Sequence, residues 1–507
     1  MRIESGHNGR FATHSQTSRK AQPIPSGGAR FPIAQVCSRV TYFGNWKAFG
    51  ITDNIGKNVP PPGDEEMRNT ILAAMSRVLV AMFIPGMVFA QAGGALGNGI
   101  SARATALGGT TVASADGPLE AMQGNPANLT NLNGRSLDLS VTSLFASGSF
   151  DNSVSSSGTI QSTAGTLPYG AFGMRLGSRV VLGVSAAPDT LMKADWTYLD
   201  PPGTGGATYG MQENRSTILA LRSSAGLGFV VNRKLSLGAT VGATYNANSL
   251  HAPYIFQQQP QLAGLKTLLD LQASGVGWNG TFGAVITPSN KLTIGLAYRS
   301  QTNVHTYGNA SGNAGAQFAA LKIPFPPAFQ YDAEVDTKFP QAVTGGLSWL
   351  GWRHARINLQ GEWIDWSSAF QQLPVKLTNG SNTSINGFLG SSSLQDTIPL
   401  HWSNQGVFGL GVEMPVAESF EVRGGYSYAT DPVPSSTLTP MTAAILRNTL
   451  GTGVGYSHGH YRFDLAYQVQ LPASQHVGQS GLLAGEYSNS QVNVMVQSLT
   501  LTTRIRF

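Results

Sequence analysis

One stretch of the chain matches a catalytic motif, the pentapeptide GYSHG at 455–459. It fits the G-x-S-x-G pattern of serine hydrolases, in which the serine lies on a sharp turn from a strand into a helix and needs an acidic residue and a histidine later in the chain. Here the pentapeptide is expected in a short hairpin turn, and His476 is expected in a loop at the opposite end of the strands. The sequence therefore predicts that the protein is not an enzyme.

Patterns that bind metals or nucleotides are also weak or missing in the sequence. The chain has one cysteine, Cys37, and contains no P-loop or HExxH pattern, and its GxGxxG match, GVGWNG at 275–280, lies within a segment of strand-like alternation and not between a strand and a helix. His458 and His460 stand on either side of the expected turn, where solvation is the ordinary state of such side chains. We therefore expect no metal site and no cofactor.

Several arginines could bind an anion if the fold brings them to one place. An arginine side chain holds a carboxylate through paired, charge-assisted hydrogen bonds. Arg299, Arg423 and Arg462 are the candidates for contact with a substrate carboxylate, with Arg299 the first choice. The alternative is a wall of salt bridges inside the fold, which is ordinary in β-barrels. The choice depends on the elements that carry these side chains.

The composition points to strands that cross a membrane. Only 11% of the residues are charged, against roughly 25% in an ordinary soluble domain, yet hydrophobic residues amount to only 41% and the mean hydropathy is −0.05. Membrane helices would be far more apolar, and a disordered chain would carry more charge. In a transmembrane β-barrel, lipid-facing and inward-facing residues alternate, so the two classes cancel in any average. The sequence therefore predicts an all-β fold, a transmembrane antiparallel β-barrel.

An apolar stretch at 78–90 has the form of a secretory signal peptide. It follows two arginines, is too short to span a membrane, and ends in small residues that fit cleavage after Ala90 or Ala92 equally well. We therefore expect a signal peptide at 67–92 and interpret residues 1–66 as an over-called N-terminal extension, with a genuine extension as the alternative. Most of the formal charge of +6 lies before the exported part, so nucleic-acid binding is not indicated.

From about residue 135 the sequence alternates apolar residues with small or polar ones at a period of two, as strands require. Fourteen such segments are expected at 135–145, 168–177, 179–187, 215–231, 233–247, 273–288, 290–307, 335–350, 354–369, 399–414, 418–430, 446–457, 460–471 and 494–507. Short turns alternate with long loops between them, which is the topology of outer-membrane barrels with periplasmic turns and extracellular loops. The third strand is expected to end at Ala187, before Pro188, which is compatible with a kink or a lateral gap at this place.

The two faces of the strands are expected to carry different residues. Further charges that the alternation directs inward are Arg222, Arg504, Arg506, Glu362, Glu421 and Asp464. Aromatic residues expected in girdles at the two membrane surfaces are Tyr298, Trp349, Trp352, Trp363, Trp366, Trp402, Tyr428, Tyr456, Tyr461 and Tyr467. The chain ends with Phe507 on a final amphipathic strand, which resembles the assembly signal of outer-membrane proteins.

A segment at 93–134 precedes the first strand, does not alternate, and contains the triplet Asn125, Pro126 and Ala127. It resembles the N-terminal hatch of the FadL/TodX family, outer-membrane transporters of long-chain fatty acids and other hydrophobic compounds. Four later segments resemble strand segments of that family in the same order, GWNG at 277–280, AYRS at 297–300, EWIDWS at 362–367 and RGGYSY at 423–428. The likeness covers essentially all of 91–507.

The resemblance implies a barrel at 135–507 that is plugged by the hatch and takes up hydrophobic molecules passively. Family members capture the substrate in extracellular loops, pass it to a pocket inside the barrel, and release it sideways at a kinked third strand. The partners implied are a long-chain fatty acid or a hydrocarbon, the lipid and lipopolysaccharide of the outer membrane, and the barrel assembly machinery. We expect a monomer, and which hydrophobic substrate it carries stays open.

Two of the long loops are unusually apolar for segments outside the membrane. The candidate substrate-binding residues are Tyr254, Phe256, Leu265, Leu268 and Leu269 in one loop and Phe318, Leu321, Phe325 and Phe329 in the next. The spacing 262, 265, 268 and 269 predicts one apolar face of a short helix. We interpret the two loops as a capture groove. The alternative is that the loops pack on each other and form a lid.

A general diffusion porin is the competing function. It would share the signal peptide, the strands and the terminal Phe507. It would lack a plug of about forty residues ahead of the first strand, and it would show polar loops and dense inward charges. The plug and the apolar loops therefore favour a transporter of hydrophobic compounds.

Overall fold

The computed structural model describes residues 99–155, 158–160 and 164–507. The expected signal peptide at 67–92, the segment 1–66 with Cys37, and the start of the expected hatch at 93–98 lie outside the described residues. None of the helices in the described ranges is long and apolar enough to cross a membrane.

Fourteen antiparallel strands form one closed barrel, as the sequence predicts, because each pairs with the next along the chain and β14 pairs back with β1. Closure leaves no open sheet edge, which a membrane would not tolerate. The strands are β1 Arg135–Asp151, β2 Ala164–Leu176, β3 Val180–Leu199, β4 Met211–Asn232, β5 Leu235–Ile255, β6 Lys266–Ser289, β7 Leu292–Arg299 with Thr302–Asn313, β8 Ala328–Phe339 with Ala342–Leu350, β9 Arg356–Ile364 with Gln372–Thr378, β10 Leu394–Pro399 with Gln405–Ala417, β11 Phe420–Ala429, β12 Asn448–His458, β13 Tyr461–Val477 and β14 Ser490–Arg506.

The two faces of the strands differ as the alternation predicts. On β5, Leu237, Val241 and Tyr245 are exposed on the outside, whereas Thr240 and Thr244 are buried inside the barrel. The outer residues meet lipid, so apolar side chains belong there, while small and polar residues leave the inside free for other parts of the chain. The last strand follows the same rule, and Phe507 is exposed just beyond its end.

The connections alternate between short and long, and the two ends of the barrel are named here the short-turn end and the long-loop end. The pentapeptide at 455–459 lies on β12 and in the short turn to β13, not on a turn from a strand into a helix. The strands reach further into the long-loop end than the sequence suggests, so that β5 continues to Ile255 and β6 begins at Lys266.

The prediction of a helix at 262–269 is wrong. Leu262 lies in a turn and Leu265 just outside it, whereas Leu268 and Leu269 belong to β6, where they pair with Pro253 and Ala252 on β5. Leu269 is buried together with Leu271, whereas Leu268 lies on the opposite face of the strand, so the four leucines do not share one face. A helix does form in the next long connection, α3 at Gly315–Leu321.

The third strand departs from its neighbours, and the prediction that it ends at Ala187 is also wrong. It continues to Leu199, but a bulge at Asp189 shifts its pairing with β4 between Pro188 and Thr190. On its other side, the pairing with β2 ends at Ala186 opposite Gly170. Among the described residues, β3 pairs on that side again only at Trp196 and Thr197, with the short strand Gly158–Ile160.

Candidate transport site

The segment 99–134, called the hatch below, fills the inside of the barrel. It contains three short helices, α1 at Ala102–Ala106, α2 at Pro118–Gln123 and a 3-10 helix at Pro126–Asn131. Helix α1 packs against β11 to β14, and the 3-10 helix packs against β3 to β6. Since most of its residues are buried, the hatch is a plug held from several sides.

Glycines on the inner faces of the strands let the hatch backbone approach the wall. A Cβ atom at Gly238 would lie 2.3 Å from the nitrogen of Ala127, and one at Gly425 would lie 2.2 Å from the carbonyl carbon of Leu107. Real Cβ atoms do not come so close, so only glycine fits at these positions. Part of the high glycine content, 61 residues, is thereby explained by contact with the hatch.

The triplet that carries the resemblance is a joint between the hatch and the wall. The Nδ2 atom of Asn125 donates to the carbonyl oxygens of Val112 in the hatch, at 2.8 Å, and of Ala284 on β6, at 3.1 Å. Its Oδ1 atom accepts from the nitrogen of Ala127 and caps the 3-10 helix, which Pro126 begins. Each residue of the triplet therefore has a local structural reason.

A buried network of charges, called the charge clamp below, holds the hatch at the short-turn end. The members are Arg103, Asp116 and Glu120 of the hatch and Asp138, Glu413, Glu421, Arg423, Arg462, Asp464 and Arg504 of the wall. Arg103 reaches both Glu120, with Nη1 at 2.8 Å, and Glu413, with Nε at 2.7 Å. Burial acts to raise the pKa of Asp116, but the neighbouring guanidinium groups outweigh it and hold this pKa well below its usual range.

The network accounts for two of the three arginines singled out in the sequence. Arg423 and Arg462 are buried and paired with acidic side chains of the clamp. Their placement fits the salt-bridged wall rather than contact with a substrate. Arg299 is different, because it lies away from the clamp and pairs through Nη1 with Asp189 at 3.2 Å.

A cavity of about 190 Å³ lies between the hatch and the long-loop end. Its polar side includes Asp189 at the bulge of β3, Arg222, Arg299 and Glu362. Residues on its apolar side are Ile100, Ile364, Trp366, Trp402, Val407 and Leu446. This cavity, called the lumenal cavity below, thus joins a small charged patch to an aromatic wall.

The expectation that Trp366 and Trp402 belong to the aromatic girdle is wrong. Both are buried, with ring centroids 5.1 Å apart, and both line the lumenal cavity. Helix α4 at Trp366–Ala369 interrupts β9, so the period of two that directs Trp363 outward no longer applies at Trp366. The girdle residues that are exposed on the outside are Tyr298, Trp349, Trp363, Tyr428, Tyr456, Tyr461 and Tyr467.

The apolar residues of the two long loops come together, but most of them pack on each other. Phe256, Leu269 and Phe329 are buried in one cluster, and Tyr254 and Phe318 pack against it. The hydroxyl of Tyr254 donates to Asp396 at 2.5 Å, which ties the first loop to β10. This arrangement agrees with the alternative interpretation, in which the two loops pack on each other and form a lid.

Part of the expected groove stays open at the surface. Leu321 and Phe325 are exposed, and Phe325 contacts Phe318 edge-on at 6.4 Å. A shallow cavity of about 440 Å³ is lined by Leu268, Leu269 and Phe329 together with polar residues of β6, β7 and β8. Leu265 is partly exposed nearby in sequence, before β6. The loops thus offer an apolar surface above a packed lid.

The structure is thus a closed barrel of fourteen strands, plugged by its own N-terminal hatch and retaining a cavity with an aromatic wall, which is the architecture of an outer-membrane protein with a filled lumen. The chain belongs to the outer membrane protein transport protein family (OMPP1/FadL/TodX), whose model matches residues 84–507. It is therefore an outer-membrane transport protein. No curated protein sequence matches the chain.

Solved structures share the fold. The toluene transporter TbuX of Ralstonia pickettii is similar with a TM-score of 0.64 and 20% identity, over 81% of this chain and 99% of that one. A FadL homologue of Pseudomonas aeruginosa matches with a TM-score of 0.63 and 17% identity, over 83% and 100%. The toluene transporter TodX of P. putida matches with a TM-score of 0.63 and 16% identity, over 81% and 99%. At these identities the likeness concerns the fold alone.

Proposed function

We propose that the protein takes up hydrophobic small molecules passively, with capture at the extracellular loops, passage to the lumenal cavity under control of the hatch, and lateral release into the membrane. The observation that carries this proposal is the position of the lumenal cavity. Pro188, Asp189 and Thr190 line it, and they lie where β3 has lost its pairing with β2. A ligand in the cavity is thereby beside a stretch of the barrel wall in which β3 does not pair with β2.

The geometry of this stretch supports sideways release. A β-bulge bends the strand that carries it, and proline has no N–H to donate to a neighbouring strand. Both features coincide at Pro188 and Asp189, so β3 lacks ladder bonds to β2 where the cavity reaches the wall. For an insoluble ligand, direct transfer into lipid avoids exposure to water.

The loops supply the capture surface of the proposal. Leu268, Leu321 and Phe325 are at least partly exposed above the buried cluster and would hold an apolar ligand loosely. The substrate is a long-chain fatty acid or a smaller hydrocarbon. The smaller hydrocarbon is supported by the similarity to TbuX and TodX, which are toluene transporters.

The alternative, a general diffusion porin, is disfavoured by the plug. The hatch occupies the lumen and is fixed by Asn125 on one side and the charge clamp on the other. A steady large aqueous conductance of the purified protein in planar bilayers would establish the porin instead. We expect low conductance with rare openings.

Uptake by cells with and without the protein tests the proposal directly. Labelled oleate and labelled toluene are supplied at equal concentration, and the expected result is faster entry of at least one when the protein is present. Phe325→Asp combined with Leu268→Asp should slow that entry several-fold while the barrel still assembles. Met211→Asp, an exposed apolar residue at the long-loop end outside the groove, is the matched control. Equal entry with and without the protein would reject transport.

A further inference from the structure

Exposed cations are concentrated at the short-turn end of the barrel. On the arc of wall from β14 through β1 to β7, they lie at the ends of strands or in the short turns between strands. None of those on this arc forms an ion pair with a described residue. They are called the basic rim below and are Arg135, Arg179, Arg233, Lys234, Lys291 and Arg506. Arg353, in the following turn between β8 and β9, is exposed as well.

Few negative charges oppose the basic rim. Among the described residues at this end, the exposed negative groups are the side chain of Glu418, in the β10–β11 turn, and the carboxylate of Phe507. The carboxylates of the charge clamp lie inside the barrel, where the arginines of the clamp pair with them. At the long-loop end, by contrast, the exposed arginines of the described ranges have acidic partners, as Arg215 has in Glu213 at 2.7 Å. The unpaired exposed charge is therefore a property of one end.

Backbone hydrogen bonds place cations of the rim on one level. The carbonyl oxygens of Arg179, Lys234 and Lys291 accept from the ends of β4, β6 and β8, at 2.8, 2.8 and 2.7 Å. The three residues thus occupy equivalent positions on successive turns. Since neighbouring strands lie about 4.8 Å apart, positions that are two strands apart are separated by roughly 10 Å. Cations at this spacing meet separate anions and do not converge on one small ligand.

The basic rim borders the lipid-facing surface of the wall. Leu176, Val231 and Ile286 are exposed on the outside of the barrel, each within a few residues of a rim cation in sequence. Apolar side chains of this kind belong in the hydrocarbon of the membrane, and the long stems of Lys and Arg carry their charge beyond it to the polar boundary. The rim therefore lies at the level of the phospholipid headgroups on the periplasmic side.

We propose that the basic rim binds anionic phospholipids of the periplasmic leaflet, with separate headgroup phosphates facing successive turns from β14 through β1 to β7. The unpaired charge, the spacing of the turns and the position at the edge of the apolar wall fit an anionic lipid surface. A soluble acidic protein is the competing partner, but it would have to bind cations whose nearest surroundings are lipid. This binding is independent of the uptake proposed above.

Spin-labelled phosphatidylglycerol and spin-labelled phosphatidylcholine test the proposal. The full-length barrel is reconstituted in vesicles of phosphatidylcholine, and electron spin resonance measures the fraction of each labelled lipid that the protein surface immobilises. We expect phosphatidylglycerol to associate roughly two- to fivefold more strongly at low ionic strength, as one Lys or Arg near an anionic headgroup allows. The preference should nearly disappear in about 1 M sodium chloride, because the screening length is then only about 3 Å.

Two variants with the same loss of charge locate the effect. The rim variant combines Arg179→Gln, Arg233→Gln, Lys234→Gln and Lys291→Gln. The control variant changes four exposed cations towards the long-loop end and combines Arg215→Gln, Lys322→Gln, Lys338→Gln and Arg447→Gln. The rim variant should bind the two lipids almost equally, whereas the control variant should keep the preference for phosphatidylglycerol.

Three results would overturn the proposal. Equal association of the two lipids with the unmodified protein would exclude the lipid surface and favour a soluble acidic partner, and this comparison needs no variant. An equal loss of preference in the rim and control variants would assign the effect to net charge. Loss of the preference in inorganic phosphate, but not in sodium chloride of the same ionic strength, would indicate a site for free phosphate. The vesicle measurement involves no transport, so a failure of the uptake proposal would leave its outcome unchanged.

Discussion

Arg504 on β14 lies directly opposite Asp138 on β1, and its Nε atom is 2.7 Å from Asp138 Oδ1, so a buried ion pair joins the last strand to the first. The same guanidinium group donates from Nη1 to Asp116 Oδ1 of the hatch at 2.8 Å. One side chain therefore contributes both to the closure of the barrel and to the seating of the hatch. Loss of the Arg504 side chain should therefore weaken both the closure of the barrel and the seating of the hatch.

Arg504→Gln should destabilise the folded barrel strongly. The substitution leaves the carboxylates of Asp138 and Asp116 without their main partner, and breaking a buried pair in this way costs about 3–5 kcal/mol. The measurement is the temperature at which the barrel loses its folded mobility in gel electrophoresis. Arg506→Gln, an exposed arginine two residues further on, is the matched control and should change little. Equal shifts in the two variants would contradict the role of the clamp.

The fourteen strands could be predicted because lipid on one side of the wall imposes a period of two on the sequence. The inward direction of Arg423, Arg462 and Arg504 followed from the same rule. Their partners could not be predicted, since the contact of Arg504 with Asp138 depends on the register across the closing seam. The rule also fails where the chain leaves the strand, as it does at Trp366 on α4.

Most of the residues that form the lumenal cavity could not be predicted, because the chain leaves the regular strand pattern there. Its aromatic wall comes from Trp366 on a short helix and from Trp402 in an interruption of β10, and neither position follows an alternating pattern. Its polar side depends on the bulge at Asp189, which places the carboxylate between two arginines. Pro188 is the visible signal of that bulge in the sequence, but a proline fits the end of a strand as well as a kink within it.

Gly425→Ala should unseat the hatch, whereas Gly424→Ala should not. A Cβ atom at Gly425 would lie 2.2 Å from the backbone of Leu107, but one at Gly424 would meet no atom closer than 4.0 Å. We expect Gly425→Ala to raise the frequency of channel openings in planar bilayers at least severalfold and to admit large hydrophilic antibiotics into cells. Equal conductance in the two variants would show that the glycine is not needed to seat the hatch.

The long loops should be more stable in acid than in alkali because of Glu486. Its Oε1 atom lies 3.5 Å from Nζ of Lys266, which also holds Asp200 at 2.8 Å. Burial raises the pKa of Glu486 to about 7, Lys266 offsets part of this rise, and Asp200 adds to it. The folded state therefore binds a proton more readily than the unfolded chain, so the stabilisation is complete below about pH 4.5 and is lost as the pH rises through about 7.

Hydrogen exchange of residues 478–489 at pH 5 and pH 8 measures this dependence, after correction for the intrinsic exchange rates. We expect protection to fall by an amount on the order of 1–3 kcal/mol between the two pH values. Glu486→Gln keeps the shape of the side chain without its charge, so its protection should be nearly the same at both. A dependence that persists in Glu486→Gln would assign the effect to another group.

Removal of the bulge in β3 should stop uptake without disturbing the rest of the barrel. Deletion of Asp189 leaves Pro188 opposite Leu221 and Thr190 opposite Ala220, so both halves of the strand keep their register with β4 while the bend is lost. We expect uptake of labelled toluene or oleate to fall at least tenfold. Asp189→Asn, which keeps the bulge and removes the charge, should retain most of the uptake, and deletion of Val416, at the bulge near the β10–β11 turn, should leave it unchanged. If Asp189→Asn lowers uptake as much as the deletion does, the carboxylate and not the opening in the wall controls release.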